Sequence, residues 1–285
     1  GVLPQYRQFL GRLLKSVSVQ RELPQGQEDV LGDLDVHSPD CVSQLVIQLK
    51  QRWKETSQFI DLIRQTGECL SMILTGDTNL LELLFPGGNL DAFSSVYRDS
   101  STQYLSNITL ACLQQIVRTL PNNLKLRVLE IGGGTGTYTQ ALLAALPPEQ
   151  TSYVFTDIGP LFVKQAQQKF SDYQFIDYRV LDIEKSPENQ GFDLSSFDII
   201  IAGNVLHATR DLTTTLSHVQ SLLAPGGLLL LIEPTTPEIL SFEIPFGALL
   251  PEFEDIEKRG GHPFITRQQW RDWLIQTGFA NVSTI

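Results

Sequence analysis

One stretch constrains the fold of this chain more than any other, the segment LRVLEIGGGTG at residues 126–136. An apolar run containing the acid Glu130 leads directly into a glycine-rich turn. Residues 137–146, TYTQALLAAL, then have the apolar spacing of a helix. Strand, tight turn and helix in this order form the first unit of a doubly wound α/β domain. Glycines allow positive φ and close approach of a ligand, and the N–H groups at a helix start favour an electron-rich ligand.

The remainder of the chain after residue 126 alternates between strand and helix patterns, which predicts a mostly parallel sheet. Further strands are predicted at residues 153–157, 175–182, 197–204 and 228–232, and helices at residues 161–170, 211–223 and 266–278. The segment PGG at residues 225–227 is expected to close the second of these helices, and Thr266 to cap the third. Residues 279–285 are predicted to begin a sixth strand.

Residues 1–120 lack strand patterning and contain short amphipathic segments. Helices are predicted at residues 6–14, 41–49, 59–70 and 104–120, with a linker rich in proline, glycine and acids at residues 20–40. We therefore predict an all-helical N-terminal subdomain at residues 1–120 and a ligand-binding core at residues 121–285. The helical part is either a cap without chemistry or a lid whose segment VYRDS, residues 96–100, brings polar groups to a ligand.

The composition excludes several classes of protein. Charged residues make up 19% and hydrophobic residues 42% of the 285 residues, which is typical of a globular chain. The net charge of −11 does not favour a nucleic-acid partner. The first residues do not resemble a signal peptide, and no apolar run reaches the ~20 residues that span a bilayer, so no membrane partner is expected. Three widely spaced cysteines show neither a disulfide framework nor a zinc pattern, which favours a reducing, cytoplasmic setting.

The two ends of the sequence suggest a piece excised from a longer polypeptide, because the chain starts without Met and stops within an apolar stretch.

Polar residues follow each of the five predicted strands. The glycine turn, with its backbone N–H groups, follows the first strand. The other four strands end in or lead to Asp157, Asp182, Asn204 with His207, and Glu233. In an open α/β sheet, ligands bind beyond the carboxyl ends of the strands. Any one of these residues has an alternative interpretation as a solvated loop residue, but five together favour a binding site. An acid at position 157 is placed to accept hydrogen bonds from ribose hydroxyls, and one at position 182 from an adenine amino group.

Several of these stretches carry a family resemblance, most specifically NVLHATRD at residues 204–211, with VLEIGGGTG at 128–136 and LAPGG at 223–227. The chain resembles class I S-adenosylmethionine-dependent methyltransferases, and in particular the methyltransferase domains of modular polyketide synthases. LLFPGG at residues 83–88 and YRDS at residues 97–100 extend the resemblance to the helical lid of these domains. The resemblance also implies that the sheet ends with a sixth strand and an antiparallel seventh.

The resemblance implies S-adenosylmethionine as the cofactor and assigns residues to it. The cofactor-binding set is Glu130, Gly132, Gly134, Gly136, Asp157, Ile158, Asp182, Ile183 and Asn204. By the resemblance, Glu130 and the glycines hold the methionine part of the cofactor. Asp157 holds the ribose, and Asp182 with Ile183 holds the adenine. A nicotinamide dinucleotide site uses a similar turn and acid, but no second nucleotide-binding half is visible. We expect no metal, because the acids lack ligand spacing and a sulfonium needs no Lewis acid.

His207 is the natural general base, since an unperturbed imidazole titrates at a pH of ~6.5. Glu233 is expected to orient the ring and stabilise its charged form, as the third member of a triad does. The resemblance includes such a His–Glu pair, and both positions match it. Tyr97 and Phe246 are candidates for contact with cofactor or substrate, with simple packing as the alternative for each.

The resemblance also implies the substrate, a polyketide chain tethered to an acyl carrier protein, and other domains of the same megasynthase as partners. Carbon-methylating members often contain Gly-Trp-Trp soon after the fifth strand, whereas residues 246–255 here read FGALLPEFED. We therefore expect O-methylation of a β-hydroxyl group. The alternative is C-methylation of the α-carbon of a β-ketoacyl chain by the same pair. A third hypothesis, a silent structural domain, is disfavoured by the intact glycines, His207 and Glu233.

Overall fold

The structure of the chain is a computed structural model that describes residues 1–19, 39–88, 100–119, 121, 124–236 and 240–284. Its contacts divide the chain into two compact units. The first unit comprises Gly1–Asp99 and Glu238–Glu252, and the second comprises Ser100–Pro237 and Phe253–Ile285. Among the described helices, none is long and apolar enough to cross a membrane.

The helices and strands follow one another along the chain much as the sequence predicts. The helices are α1 (Arg7–Val19), α2 (Pro39–Arg52), α3 (Ser57–Glu68), α4 (Leu70–Thr75), α5 (Leu80–Leu84), α6 (Ser100–Thr119), α7 (Thr137–Leu143), α8 (Pro160–Lys169), α9 (Leu212–Leu222), α10 (Leu240–Phe246) and α11 (Arg267–Gln276). The strands are β1 (Leu126–Ile131), β2 (Thr151–Asp157), β3 (Ile176–Val180), β4 (Phe197–Gly203) and β5 (Leu223–Ile232). Within the described residues, every regular element before β1 is helical.

The strands of the second unit form one five-stranded sheet in the order β3-β2-β1-β4-β5. All four neighbouring pairs are parallel, and β1 lies in the middle between β2 and β4. Because the carboxyl ends of parallel strands lie at one edge of a sheet, the segments that follow the five strands meet there. The predicted parallel α/β sheet is confirmed.

Helices cover both faces of this sheet. On β4, Ile200 and Ala202 belong to the core that α9 and α11 cover. Ile199 and Ile201 point the other way, into the core that contains residues of α7 and α8. Successive side chains of a strand alternate between faces, so a strand buried on both faces is apolar at every position. The doubly wound architecture follows from this pattern.

The contact-based division differs from the predicted boundary at residue 120 in two places. Helix α6 belongs to the second unit, where Leu113 is completely buried in the core that also contains residues of α7. Helix α10, which the sequence analysis did not predict, belongs to the first unit, and Phe246 lies in that unit's core. An amphipathic pattern shows that a helix has a buried face but not which core receives it.

Two predictions at the end of the sheet are wrong. The segment at residues 225–227 does not close a helix, because β5 already begins at Leu223, which pairs with Phe197. The ladder resumes at Leu228 opposite Ile199 after an irregularity. Residues 279–284 form no strand. A strand requires a neighbour for its ladder hydrogen bonds, and within the described residues no strand follows β5.

The first unit is held by apolar side chains from several helices and by one buried ion pair. Leu62 of α3, Ile73 of α4 and Phe246 of α10 share one cluster. Arg12 of α1 contacts Glu243 of α10 at 2.9 and 3.2 Å, and both side chains are buried. The predicted helix at residues 59–70 divides into α3 and α4, because Cys69 between them has a non-helical φ of −91° and ψ of 0°.

Candidate active site

The glycine-rich turn after β1 is shaped by backbone conformations that glycine favours. Gly132, Gly134 and Gly136 have φ values of 65°, 53° and 72°. A Cβ added at Gly133 would lie 2.2 Å from the ring of Phe155, so the turn packs tightly against the sheet. At Gly134 an added Cβ would meet only the carbonyl oxygen of Gly132, at 3.9 Å. The turn is therefore packed on one side and open at Gly134, where a ligand can approach the backbone.

Asp157 ends β2 and is 7% exposed. Its Oδ2 accepts a hydrogen bond from the N–H of Gly134 at 3.0 Å, and its Oδ1 accepts one from Gly159 at 2.8 Å. Burial raises the pKa of Asp157, and these two bonds oppose that effect because they favour the charged form. A carboxylate has about four acceptor sites, so two remain for the hydroxyls of a diol.

The loop after β3 lies at the carboxyl edge of the sheet and carries Asp182. Asp182 Oδ1 accepts from the N–H of Glu184 at 3.1 Å, and its Oδ2 lies 2.9 Å from Lys185 Nζ. Gln190 fixes the backbone of Asp182, since it accepts from the N–H at 2.9 Å and donates to the carbonyl at 2.8 Å. The side chain of Ile183 is buried in the core. Contact with adenine through this loop stays a prediction.

Glu130 is buried inside β1, directly before the glycine turn. Its Oε2 accepts hydrogen bonds from the hydroxyls of Thr139 and Tyr153, each at 2.7 Å. Burial raises the pKa of Glu130, while these two hydroxyls act in the opposite direction. The carboxyl group is therefore fixed in place beneath the turn, which suits a positioned acceptor. Its contact with a cofactor stays a prediction.

His207 and Glu233 come together at the ends of β4 and β5. His207 lies in a short 3-10 turn, Leu206–Ala208, and its Nδ1 is 2.5 Å from Glu233 Oε2. The side chains are only 3% and 2% exposed. Glu233 Oε1 accepts from the backbone N–H groups of Val205 and Leu206 at 3.0 and 2.7 Å. The carboxylate therefore holds both the imidazole ring and the turn that carries it.

A further group of residues surrounds His207, and the sequence analysis gave its charged members no role. Arg259 donates to the carbonyl oxygens of His207 and Thr209, each at 2.7 Å, and is paired with Asp255. Burial lowers the pKa of Arg259, and the carboxylate of Asp255 opposes this. The ring of Phe264 lies 4.9 Å from the imidazole ring. The spacing of four residues between Asp255 and Arg259 is the one signal of this pair in the sequence.

The remaining predicted residues fall in different places. Asn204 has a left-handed φ of 54° and donates its N–H to the carbonyl of Ile232 at 2.8 Å, so it shapes the turn after β4. Ile158 follows Asp157 with its side chain 65% exposed. Phe246 is buried in the first unit and 4% exposed. Tyr97 lies outside the described residues. Substrate contacts of Phe246 and Tyr97 stay predictions.

The second unit fits the S-adenosylmethionine that the resemblance implies. The N–H of Gly134, at the open side of the turn, binds Asp157, and the exposed Ile158 directly follows Asp157. These groups lie at the carboxyl edge of the sheet. This combination provides backbone, diol and apolar contacts for a nucleoside. The described residues contain no group of three or more metal-binding side chains.

The sequence matches an established family and curated relatives. Residues 129–229 match the family described as "Methyltransferase domain". Over 227 residues the chain is 37% identical to the hybrid PKS-NRPS synthetase apdA of Emericella nidulans, a match that covers 79% of this chain and 6% of that protein. The chain thus spans a small part of the length of such relatives.

Two solved structures are similar over almost the whole chain. The CurJ carbon methyltransferase is 36% identical with a TM-score of 0.89, and the match covers 100% of this chain and 76% of that one. The trans-methyltransferase CalH, solved in complex with SAH, is 30% identical with a TM-score of 0.77, and the match covers 97% and 77%. This chain belongs to the S-adenosylmethionine-dependent methyltransferases, among the methyltransferase domains of polyketide synthases.

Proposed function

We propose that this domain methylates the α-carbon of a β-ketoacyl chain tethered to an acyl carrier protein, with His207 as general base and Glu233 as its orienting partner. The observation that carries the proposal is the buried contact of 2.5 Å between His207 Nδ1 and Glu233 Oε2. The choice of carbon is supported by the likeness to the CurJ carbon methyltransferase. The megasynthase around the domain supplies the carrier protein in this proposal.

The two residues divide the acid–base work. In the neutral ring, the bond to Glu233 Oε2 places the proton on Nδ1, which leaves the lone pair on Nε2. Nε2 then takes the proton that the α-carbon loses, and the carboxylate stabilises the charged ring. The resulting carbanion, delocalised into the neighbouring carbonyl groups, is the nucleophile. When bound, S-adenosylmethionine supplies a methyl group on a positively charged sulfur, which is already electrophilic.

Burial assists this chemistry. With side chains 3% and 2% exposed, His207 and Glu233 are screened from water, and their interaction is stronger than at the surface. The remaining oxygen of Glu233 is occupied by backbone N–H groups, so the carboxylate does not rotate freely. Orientation of this kind contributes to rate because the base is already placed before the substrate arrives.

O-methylation of a β-hydroxyl is the second candidate. The observation that favours it is the absence of tryptophan from residues 246–255, where carbon-methylating members often have Gly-Trp-Trp. The same histidine would remove the proton of the hydroxyl group. The two candidates therefore differ in the substrate that they accept and not in the base that they use.

The test supplies the domain with S-adenosylmethionine and with carrier-bound β-ketoacyl or β-hydroxyacyl chains, and measures methylation by mass spectrometry. We expect a methyl group on the β-ketoacyl chain, and a rate lower by about 10²–10⁴-fold in His207→Ala. Calorimetry with S-adenosylmethionine on the same variant is the control and should give wild-type affinity. Methylation of the β-hydroxyacyl chain alone would replace this proposal with the second candidate.

A further inference from the structure

The loop that carries His207 is hydrogen-bonded to a later segment of the second unit. We call residues 205–212 the histidine loop and residues 253–264 the clasp. Besides the two bonds from Arg259 to the loop, the N–H of Glu254 donates to the carbonyl of Arg210 at 2.9 Å. The N–H of Leu212 donates to Asp255 Oδ2 at 2.8 Å. Four hydrogen bonds thus join the clasp to successive backbone groups of the histidine loop.

Arg259 is the centre of the clasp. Its side chain is 0% exposed and that of Asp255 is 1% exposed. The guanidinium contacts Asp255 at 2.5 and 3.1 Å and lies 4.5 Å from the centre of the Phe253 ring. Its two terminal nitrogens donate to carbonyls of the histidine loop. The planar, rigid fork of donors allows one arginine to bind a carboxylate and two carbonyls simultaneously, which lysine cannot reproduce.

A buried ion pair of this kind is weak evidence for a contribution to stability, because desolvation offsets much of the attraction. The position of the Arg259–Asp255 pair next to His207 says more about its role. The imidazole ring of His207 is bound by Glu233 at 2.5 Å, and its backbone carbonyl is bound by Arg259 at 2.7 Å. The clasp also supplies Phe264, whose ring packs against the imidazole ring. The backbone and the ring of His207 are therefore fixed from two sides.

We propose that Arg259 is a positioning residue for methyl transfer: by binding the carbonyls of His207 and Thr209, it holds the imidazole ring in reach of Glu233 and of the substrate. Asp255 assists by orienting the guanidinium. This inference deepens the proposed function and rests on its assignment of His207 as the base. Arg259 itself does not contact the reacting atoms in this proposal.

The first test is Arg259→Lys, measured as kcat with saturating S-adenosylmethionine and as cofactor affinity by calorimetry. We expect kcat to fall by about 10- to 100-fold, because a shift of about 1 Å at a reacting group has an effect of that size. Cofactor affinity should stay within about twofold, since Arg259 binds the histidine loop and not the glycine turn. Lysine keeps the positive charge but lacks the planar set of N–H donors that binds a carboxylate and two carbonyls together.

Arg12→Lys is a matched control. Arg12 is also a buried arginine that contacts a carboxylate, Glu243, through two nitrogens and donates to a carbonyl, that of Gly247 at 3.3 Å. Arg12, Glu243 and Gly247 all belong to the first unit, whereas the histidine loop belongs to the second. We expect a kcat within about twofold of wild type, because residues that share no partners usually have independent effects. An equal loss in both lysine variants would overturn the inference.

The second test repeats Arg259→Lys in the background of His207→Ala. If Arg259 acts through His207, the second substitution should change the residual rate by less than about twofold. The same 10- to 100-fold loss in both backgrounds would assign Arg259 a general structural role and overturn the inference. A wild-type rate in Arg259→Lys, with His207→Ala impaired, would overturn the inference but leave the proposed function. A wild-type rate in His207→Ala would overturn the proposed function.

If Arg259→Lys does not fold, Asp255→Asn provides the second variant, since it keeps the shape of the acid and removes the charge that orients the guanidinium. We expect the same loss of kcat with unchanged cofactor affinity, and again little effect in the His207→Ala background. If Arg259→Lys and Asp255→Asn both fail to fold or to bind the cofactor, Arg259 is required for the fold in general. That outcome would overturn the inference.

Discussion

Glu130, Asp157 and Glu233 are carboxylates with little exposure that lie at or near the carboxyl ends of β1, β2 and β5. Each accepts hydrogen bonds from donors that the fold itself provides: two hydroxyls for Glu130 and backbone N–H groups for the other two. Such donors offset the cost of burying a charge. At the scale of the residue, the site is therefore built from acids whose orientation is fixed before any ligand binds.

Glu130 gives a prediction for stability against pH. Because burial raises its pKa above the ordinary 4.5, the folded chain retains the proton to a higher pH than the unfolded chain. Between those two pKa values the folded state binds more protons, so this group lowers the unfolding free energy as pH rises. We therefore expect Glu130→Gln to be more stable relative to wild type at pH 7 than at pH 4. That is, its unfolding free energy minus that of wild type should be larger at pH 7. Urea denaturation without cofactor at both pH values measures it.

The amide of glutamine can still accept from Thr139 and Tyr153, so the comparison isolates the charge. A difference between the two proteins that is the same at pH 4 and pH 7 would contradict a raised pKa at this position. The sequence placed Glu130 correctly before the turn. It could not show the raised pKa, because the cause is burial of the carboxyl group, which depends on the folded sheet and not on neighbouring residues in the chain.

At the scale of the element, the glycine turn is the part that the sequence described best. Its position after β1, its glycines and the following helix all agree with the structure. The structure adds the reason for tight packing, which is the ring of Phe155 on β2 against Gly133. This contact depends on the pairing of β1 with β2, and so no local pattern contains it.

We predict that Gly133→Ala destabilises the chain. The new methyl group would lie 2.2 Å from the Phe155 ring, so either the ring or the turn must move. Overpacking of this kind costs about 1–3 kcal/mol of unfolding free energy. The turn should also bind S-adenosylmethionine more weakly, which calorimetry measures.

Gly67→Ala is the matched control for that substitution. Gly67 lies in helix α3, where an added Cβ would meet only Ile244, at 3.9 Å. Alanine in a helix interior is favoured over glycine by up to about 1 kcal/mol. Because Gly67 lies in the last turn, we expect this variant to be at least as stable as wild type. A Gly133→Ala variant as stable as Gly67→Ala would mean that the turn accommodates the methyl group.

The clasp is an element that the sequence analysis missed. It contains no regular helix or strand before α11 begins at Arg267, so hydrophobic periodicity does not mark it. The glycines at 260 and 261 indicate a turn, but not the distant backbone groups that Arg259 binds. Thr266, by contrast, was predicted as the cap of α11, and it forms a capping box with Gln269. A cap is a contact over three residues, whereas Arg259 reaches backbone groups 50 and 52 residues earlier in the chain.

At the scale of the whole molecule, the residues proposed to bind the cofactor all belong to the second unit. A ligand that binds only the folded state stabilises it, by about 2.7 kcal/mol at a concentration of 100 times Kd. We therefore predict that S-adenosylmethionine raises the melting temperature of the chain. His207→Ala should retain this shift, because the base is not assigned to the cofactor.

Asp157→Ala is the contrasting variant, since it removes the acceptor sites assigned to the ribose and the bond to Gly134. Its melting temperature should respond much less to the same concentration of S-adenosylmethionine. Differential scanning calorimetry of the three proteins makes the comparison. An equal shift in Asp157→Ala and wild type would remove Asp157 from the cofactor site.

The sequence by itself determined the five strands and the helices at 137–143, 160–169, 212–222 and 267–276. It also determined the glycine turn and the acids and histidine that follow the strands. These features are local, because hydrophobic periodicity, turn-forming residues and strand ends each depend on residues that are adjacent in the sequence. Only the tertiary structure decided which core receives α6 and which receives α10. It also decided that residues 279–284 form no strand and that Arg259 binds the loop of His207. Each of these depends on contacts between distant segments, and a single sequence carries no local pattern for them.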